Sequence, residues 1–210
     1  VQLHVRFGSP LDPLGNTVDA SGGSRDSRGR PVDPTRYLLV NGAVVQDAAR
    51  DAEYTKNLAD SVLASYKRDT VALPSSVLAY ALFTCLRRRY PRLDLFRFLR
   101  VLGPSTQVSL AELEPEIDAV LASLGRLAAR GELQIAPALA SGGRAAVLEL
   151  GASTLSTYHR PAALVRHADR IEVTQPTLLL YYRNRLEGFD LSGSDAPSRA
   201  SESAHSSRTA

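Results

Sequence analysis

The sequence predicts a mixed α+β protein that is mainly helical. Three observations support this class: apolar residues recur every four positions in several long segments, a short segment at the start alternates apolar and polar residues, and Gly or Pro separates the segments. The chain has 210 residues, of which 44% are hydrophobic, so it can bury one large core or two small ones. We divide it into an N-terminal region (1–46), a helical domain (47–191) and a tail (192–210).

Charge, cysteine content and hydropathy limit the classes of function. The formal net charge is +3, and nearly all cations are arginine, with only Lys56 and Lys67 as lysines. The single cysteine, Cys85, excludes an intramolecular disulfide framework and a cysteine-based zinc cluster. No apolar run reaches the roughly 18 to 20 residues needed to cross a bilayer, so we expect a soluble or peripheral protein. Because the chain lacks Met and starts with Val1, we expect a fragment of a longer protein.

The first 46 residues predict a strand, a loop and a hairpin. Apolar and polar residues alternate over residues 1–7, which is typical of a strand. Residues 9–34 are rich in Gly, Pro, Asp and Ser without a lasting period, which favours a long surface loop, and we find no internal repeat. Asn41-Gly42 separates two short apolar segments and supplies the two positive φ angles that a type I′ hairpin turn requires.

Three helices are predicted over residues 47–102. Asp47 caps the first helix, whose apolar residues recur every four positions. Its predicted buried stripe consists of Tyr54, Leu58, Val62 and Tyr66. Ser75 or Ser76 caps a second, very apolar helix that ends in three arginines. The third is a short amphipathic helix over residues 93–102.

The next segment predicts a helix, a turn, a helix and a hairpin. Ser109 and Glu112 form a capping-box pattern, and Pro115 restarts the helix. The predicted core stripe of that helix consists of Ile117, Val120, Leu121, Leu124 and Leu127. Two short strands, over residues 133–136 and 146–150, flank a Gly-Gly pair and form a small winged-helix-like β-hairpin.

The end of the chain predicts three short elements and a tail. A helical turn over residues 161–168 is followed by an extended piece over 171–173 and a final helix from Pro176 to Leu186. The Ser/Ala-rich tail has almost no large apolar residue, so burial cannot offset the entropy cost of ordering it. We therefore expect the tail to be disordered.

The sequence carries no complete catalytic centre, so we predict no catalytic and no metal-binding residue in this chain. His4 lies on the polar face of the predicted strand, and His205 lies in the predicted tail. His159 and His167 flank an arginine-rich turn, which favours surface or structural roles. Nucleophile-elbow, Gly-rich phosphate-loop, dinucleotide-binding and metal-spaced His/Glu patterns are absent. The sequence assigns no substrate contact.

The densest charged feature is a basic and aromatic segment over residues 87–100. Its six arginines are Arg87, Arg88, Arg89, Arg92, Arg97 and Arg100. Tyr90, Phe96 and Phe98 lie between them. Such a segment is typical of a surface that lies on an anionic bilayer. The alternative is a solvated helix end whose aromatic residues belong to the core.

Two stretches resemble a known family. The first, over residues 4–16, contains Val5-Arg6-Phe7-Gly8-Ser9-Pro10-Leu11, and the second, over residues 178–186, contains Tyr181-Tyr182-Arg183-Asn184. Both are similar to the region downstream of the catalytic core in PlsB-type glycerol-3-phosphate acyltransferases. These are accessory motifs of that family, and the resemblance spans roughly residues 1–191.

The resemblance implies an enzyme that transfers a fatty acyl group from acyl-CoA or acyl carrier protein to glycerol 3-phosphate, the first step of phospholipid synthesis. The family's catalytic H-x-x-x-x-D pattern is absent, because Ser9, Leu164 and Glu172 stand where the aspartate would follow His4, His159 and His167. The family's F-P-E-G block is absent as well. No catalytic residue is therefore carried over.

By this resemblance, residues 1–46 are the remnant strand and hairpin of an α/β acyltransferase domain, and the helical domain follows it. The implied partner is the missing N-terminal catalytic domain, which the helical region covers. The implied location is peripheral, on the cytoplasmic face of the cell membrane, with the six arginines as candidate contacts. No cofactor is implied apart from the acyl donor as co-substrate of the parent enzyme.

Two other functions remain as alternatives. The helix, turn, helix and hairpin order over residues 108–150 is shared by winged-helix DNA-binding modules. The helix over residues 116–130 offers Arg126 and Arg130 against two carboxylates, which is a poor set for phosphate contacts, so we expect no nucleic-acid binding. The second alternative is a protein-interaction module with no link to lipid synthesis.

Overall fold

The computed structural model describes residues 4–103 and 106–191, which form two compact units. Unit 1 comprises Val1–Val71 with Arg130–Gln134, and unit 2 comprises Ala72–Ala129 with Ile135–Ala210. The fold is mixed α+β, and helices account for more of it than strands. The first three residues and the predicted tail over 192–210 lie outside the described residues.

Unit 1 begins with a small sheet where a loop was predicted. Its strands, in chain order, are β1 (Thr17–Val18), β2 (Ser24–Arg25) and β3 (Pro31–Val32). They pair antiparallel in that order. The loop prediction for residues 9–34 is wrong, and a repeat that the sequence analysis overlooked explains the difference.

A seven-residue D-x-x-G repeat builds the turn before β1 and the two turns that join the three strands. It places Asp12, Asp19 and Asp26 each three residues before a glycine, and each aspartate carbonyl accepts the N–H of that glycine at 2.9 to 3.0 Å. Oδ1 of each aspartate accepts two further backbone N–H groups, from the residues two and four positions later. Gly15, Gly22 and Gly29 all have positive φ, which the repeated turn requires.

The predicted strand over residues 1–7 is wrong for its described part. Residues 4–7 form no strand, and the Phe7 side chain is 93% exposed. A strand requires a paired neighbour, and no described segment of the chain pairs with these residues. The alternating residues therefore have no neighbouring strand to pair with among the described residues.

A hairpin and a long helix complete unit 1. A 3₁₀ helix (Pro34–Leu38) leads into β4 (Leu39–Val40), β5 (Ala43–Val44) and α1 (Ala48–Asp69). The hairpin prediction is confirmed, since Asn41 and Gly42 have φ of 54° and 80° between the paired strands. The Asp47 cap is also confirmed, because its Oδ1 accepts the N–H groups of Ala49 and Arg50.

The predicted buried stripe of α1 is wrong. No residue of α1 is buried: Tyr54, Leu58 and Val62 are half-buried, and Tyr66 is 69% exposed. The covering segments explain the half-buried residues. Tyr37 packs edge-to-face on Tyr54, with ring centroids 5.6 Å apart, and the turn at Gly15 lies against the backbone of Leu58.

Unit 2 is organised around a buried central helix. Its first elements are α2 (Pro74–Arg89), which follows β6 (Val71–Ala72), then α3 (Leu95–Val101), β7 (Thr106–Ser109) and α4 (Leu110–Ala129). Ser75 and Ser76 are buried in the first turn of α2, so their predicted capping role is wrong. Leu73 occupies the cap position, and Pro74 at the first helical position fixes the entry of the chain.

The short helix α3 and the core stripe of α4 agree with prediction. Asp94 caps α3 by accepting the N–H of Arg97 at 2.9 Å. The buried side of α4 contains Leu113, Ile117, Val120, Leu124 and Leu127, while Leu121 is half-buried. The Ser109 hydroxyl accepts the N–H of Glu112 at 3.2 Å, but α4 starts at Leu110 and continues through Pro115 without a restart.

The predicted hairpin over residues 133–150 is wrong. The segment contains β8 (Gln134–Ile135), α5 (Pro137–Ala146), a π-helical turn (Val147–Gly151) and α6 (Ala152–Thr157). β8 pairs with β6, and Pro137 starts a helix directly afterwards. Val147 and Leu148 are buried in the π-helical turn, which packs on α2, so their apolar character serves a helix interface.

The last elements of unit 2 form a second sheet and a final helix. They are β9 (Leu164–Arg166), β10 (Arg170–Val173), α7 (Pro176–Arg183) and a 3₁₀ turn (Asn184–Leu186). β10 pairs antiparallel with both β7 and β9. The extended piece and the final helix are thus confirmed, whereas the predicted helical turn over residues 161–168 is wrong. No helix within the described ranges is long and apolar enough to cross a membrane.

Candidate functional site

The histidines of the described residues occupy structural positions. His159 Nε2 lies 2.9 Å from the Tyr182 hydroxyl, and their rings pack edge-to-face. His4 is half-buried, and His205 lies outside the described residues. Within 4–103 and 106–191 no group of three His, Cys, Asp or Glu side chains could hold a metal ion.

The structure brings together one pair with the spacing of the acyltransferase dyad. His167 Nε2 lies 3.2 Å from Glu172 Oε2, in the H-x-x-x-x-E sequence noted above. The two residues lie on either side of the β9–β10 turn, which is also closed by the His167 N–H donating to the Arg170 carbonyl at 2.9 Å. Both partners of the pair belong to one hairpin, and its evident effect is to hold that turn.

The thiol of Cys85 is not a reactive nucleophile. It is fully buried in α2, and its Sγ lies 3.8 Å from the Glu112 carbonyl oxygen. Burial, and then the nearby Glu112 carboxylate, raise the pKa of Cys85 to about 11, so the thiol is protonated at neutral pH.

The basic segment separates into two groups of arginines. In the first group, which ends α2, every guanidinium contacts the protein. Arg87 stacks on the Phe98 ring at 5.1 Å, and Arg88 forms an ion pair with Glu116. Arg89 binds the Glu112 carboxylate at 2.6 Å and the Gln107 carbonyl at 2.8 Å. These three cations therefore fasten α2 to α3, β7 and α4.

The second group lies on and beside α3 and faces solvent. Arg92, Arg97 and Arg100 are exposed, and Phe96 between them is 80% exposed. Arg97 reaches Asp94 at 3.3 Å. A surface concavity beside α3 is lined by Asp94, Phe96, Arg97, Leu99, Arg100 and Thr177. This is the basic and apolar surface of unit 2 that is open to a ligand.

The Tyr-Tyr-Arg-Asn motif packs α7 onto α2. Its Arg183 guanidinium lies over the rings of Phe83, at 4.7 Å, and Tyr80, at 5.6 Å, and it forms an ion pair with Glu187. Burial raises the pKa of Tyr80, although the charge of Arg183 opposes this, and burial also raises the pKa of Tyr182. Both phenols therefore stay neutral at physiological pH, and the motif acts as a structural contact.

Unit 1 has an apolar surface that nothing in the unit covers. None of the apolar side chains in residues 4–70 is buried, and the only buried residues there are Asp12 and Ser24. On α1, Leu63 is 58% exposed and Tyr66 69% exposed. The other large apolar residues of this region that are exposed are Val5, Phe7, Tyr37, Leu38, Leu39, Val40, Val44 and Val45.

The uncovered residues of α1 form a stripe of their own. Ala52, Ala59, Leu63 and Tyr66 are spaced by seven, four and three residues and are all exposed, so they share one side of the helix. This stripe lies beside the half-buried side that carries Tyr54. Only one apolar side of α1 was predicted, because the second becomes recognisable only when the segments that cover the helix are known.

Comparisons with family models, with curated proteins and with solved structures give no significant match for this chain.

Proposed function

We propose that the chain is the C-terminal part of a glycerol-3-phosphate 1-O-acyltransferase. In this proposal, a histidine–aspartate pair outside these residues removes the proton from the attacking hydroxyl of glycerol 3-phosphate. The present chain supplies a surface that packs on the catalytic domain, and the parent enzyme sits on the cytoplasmic face of the membrane. The resemblance of residues 4–16 and 178–186 to the acyltransferase family supports the assignment.

The observation that carries the proposal is the absence of a buried apolar side chain in residues 4–70. Full burial of a large apolar side chain is worth about 1.5 to 3 kcal/mol. Because Leu63 is 58% exposed and Tyr66 is 69% exposed, covering the exposed remainder of both side chains would contribute about 2 to 4 kcal/mol to a complex. A neighbouring domain of the same polypeptide is the partner that the family resemblance implies for this surface.

An acyl-transfer assay tests the proposal. The polypeptide encoded by the complete reading frame and the 210-residue chain are each given glycerol 3-phosphate and labelled palmitoyl-CoA. We expect the complete polypeptide to form 1-acylglycerol 3-phosphate and the chain alone to form none. Acylation by the chain alone, or a complete reading frame without an H-x-x-x-x-D motif, would refute the proposal.

A second candidate function is an interaction module of the winged-helix type. α4, then α5 with α6, then the β9–β10 hairpin follow one another in the order that such modules share, although the hairpin predicted over residues 133–150 does not form. Arg144 of α5 is held by Glu114 and Asp118, at 2.8 Å each, so this cation is not free for a phosphate. That pairing favours a protein partner over nucleic acid. Binding to duplex DNA that weakens steeply with salt would reverse this preference.

A further inference from the structure

We propose that unit 2 contacts anionic bilayers through the outer side of α3, and that the arginines at the end of α2 take no part. The contact surface, called here the α3 face, consists of Arg92, Leu95, Phe96, Arg97, Arg100 and Val101. This inference deepens the proposed function, on which it rests for the membrane location of the parent enzyme. It reduces the six arginines predicted as candidate membrane contacts to three.

The geometry of α3 separates an inner side from an outer side. Phe98 is fully buried, and Leu102 just beyond the helix is nearly so. Phe96 and Arg100 are four residues apart and exposed, as are Arg97 and Val101, so apolar and basic side chains lie next to one another on the outer side. This combination of side chains suits a membrane surface. The aromatic and aliphatic groups can enter the boundary between headgroups and acyl chains, while the guanidinium groups stay at the lipid phosphates.

The charge of the α3 face favours an anionic surface. Three arginines stand against the single carboxylate of Asp94, which is engaged by the backbone N–H and the guanidinium of Arg97. By contrast, Arg88 and Arg89 are neutralised by Glu116 and Glu112, and Arg87 is stacked on Phe98. Arg92 and Arg100 have no carboxylate partner among the described residues, and Arg97 pairs only with the exposed Asp94. These three cations are therefore more accessible to lipid phosphates than Arg87, Arg88 and Arg89.

Vesicle co-sedimentation of the 210-residue chain tests this assignment. The vesicles are made of pure phosphatidylcholine, or of phosphatidylcholine with about 30% phosphatidylglycerol, which gives the surface a negative charge that attracts basic groups. Each arginine near such a surface is worth about fivefold in partitioning. We therefore expect Arg97→Gln/Arg100→Gln to weaken binding to anionic vesicles about 25-fold, and Phe96→Ser to weaken it at every salt concentration.

A charge-matched control distinguishes the α3 face from net charge. Arg28→Gln/Arg36→Gln removes two exposed arginines of unit 1, and we expect it to change binding less than about threefold. Equal binding to both vesicle types, no binding at all, or an equal loss in the control would overturn the proposal. Lack of vesicle binding would leave an acidic protein as the partner of this face.

The two proposals fail separately. Vesicle binding by the 210-residue chain requires no acyl transfer, so it can be present when the acyltransferase assignment is wrong. Conversely, the complete polypeptide can be active while its Arg97→Gln/Arg100→Gln variant keeps full membrane binding. That result would support the acyltransferase assignment and contradict the role of the α3 face in membrane contact.

Discussion

The ion pair between Arg88 and Glu116 gives the sharpest test of how unit 2 is held together. We consider Arg88→Gln, which removes the charge of this residue at the end of α2 and leaves a shorter, neutral polar side chain. The Glu116 side chain is only 10% exposed, whereas that of Arg88 is 65% exposed. The substitution therefore leaves a buried carboxylate without its cation.

The burial of the two partners sets the magnitude. Breaking a fully buried pair costs about 3 to 5 kcal/mol, and breaking an exposed pair costs at most about 1 kcal/mol. Because one partner is buried and the other is largely in solvent, we expect a loss of about 2 kcal/mol in the free energy of unfolding. For a chain of this size this corresponds to a fall in Tm of about 4 to 8 °C.

Thermal and urea unfolding, followed by circular dichroism, measure this loss. Arg92→Gln is the matched control, because Arg92 is exposed, and we expect its change to stay within about 0.5 kcal/mol. Adding Glu116→Gln to Arg88→Gln should recover part of the loss, since the buried group is then neutral. If Arg88→Gln and Arg92→Gln unfold at the same temperature, the ion pair does not fasten α2 to α4.

Three further predictions concern glycines and an aspartate. Gly15→Ala places Cβ 3.1 Å from the Asn57 carbonyl oxygen at φ +85°, whereas Gly29 has φ +76° and open space, so hydrogen exchange of α1 should speed up more in Gly15→Ala than in Gly29→Ala. Gly151→Ala places Cβ 2.8 Å from the Pro74 carbonyl oxygen and should cost about 1 to 3 kcal/mol, while Gly125→Ala, in open space on α4, should gain about 0.5 to 1 kcal/mol in thermal unfolding. Equal effects would show that the π-helical turn does not approach α2 this closely. Burial alone would raise the pKa of Asp12, but hydrogen bonds from Asn16, Ser24 and Leu14 lower it. The ionised Asp12 therefore stabilises unit 1 above about pH 4, and this stabilisation is lost as the pH falls through the lowered pKa. Amide NMR signals of residues 12–16 should report the loss, and Asp12→Asn should abolish this pH dependence.

Local chemistry made part of the fold predictable. Asn41-Gly42 determines its hairpin through backbone conformations that few other residues adopt, and Asp47 determines the start of α1 through its own side chain. The core stripe of α4 follows from helical periodicity, because one side of that helix is fully buried. In each case the deciding interaction lies within a few residues of the pattern.

The errors have physical causes at particular residues. A short apolar run such as residues 146–150 is compatible with either a strand or a buried helix. Here Val147 and Leu148 are buried in a segment that packs on α2, and this packing favours the helical conformation. The aspartate repeat that starts at Asp12 was missed because its period lies in polar residues, whereas only apolar periods were considered. A search for D-x-x-G at fixed spacing would have found it.

The candidate site was predicted only in part. The basic and aromatic composition of residues 87–100 identified the segment that contains the arginines of the α3 face. It could not show that Arg88 and Arg89 meet carboxylates more than twenty residues away in α4, which removes them from the surface available to lipids. Likewise, the exposed stripe of α1 depends on which segments cover the helix, and this is a tertiary property.

The most direct measurement of the central claim is the accessibility of the α1 stripe with and without the rest of the proposed parent polypeptide. Leu63→Cys places a thiol on the stripe, Asn57→Cys places one on an exposed polar side of α1 about 120° away, and the native Cys85 is buried. Maleimide labelling of each site is followed by mass spectrometry in the 210-residue chain and in the complete polypeptide. We expect labelling at position 63 to slow strongly in the complete polypeptide while labelling at position 57 stays the same; equal rates at position 63 in both would contradict this claim.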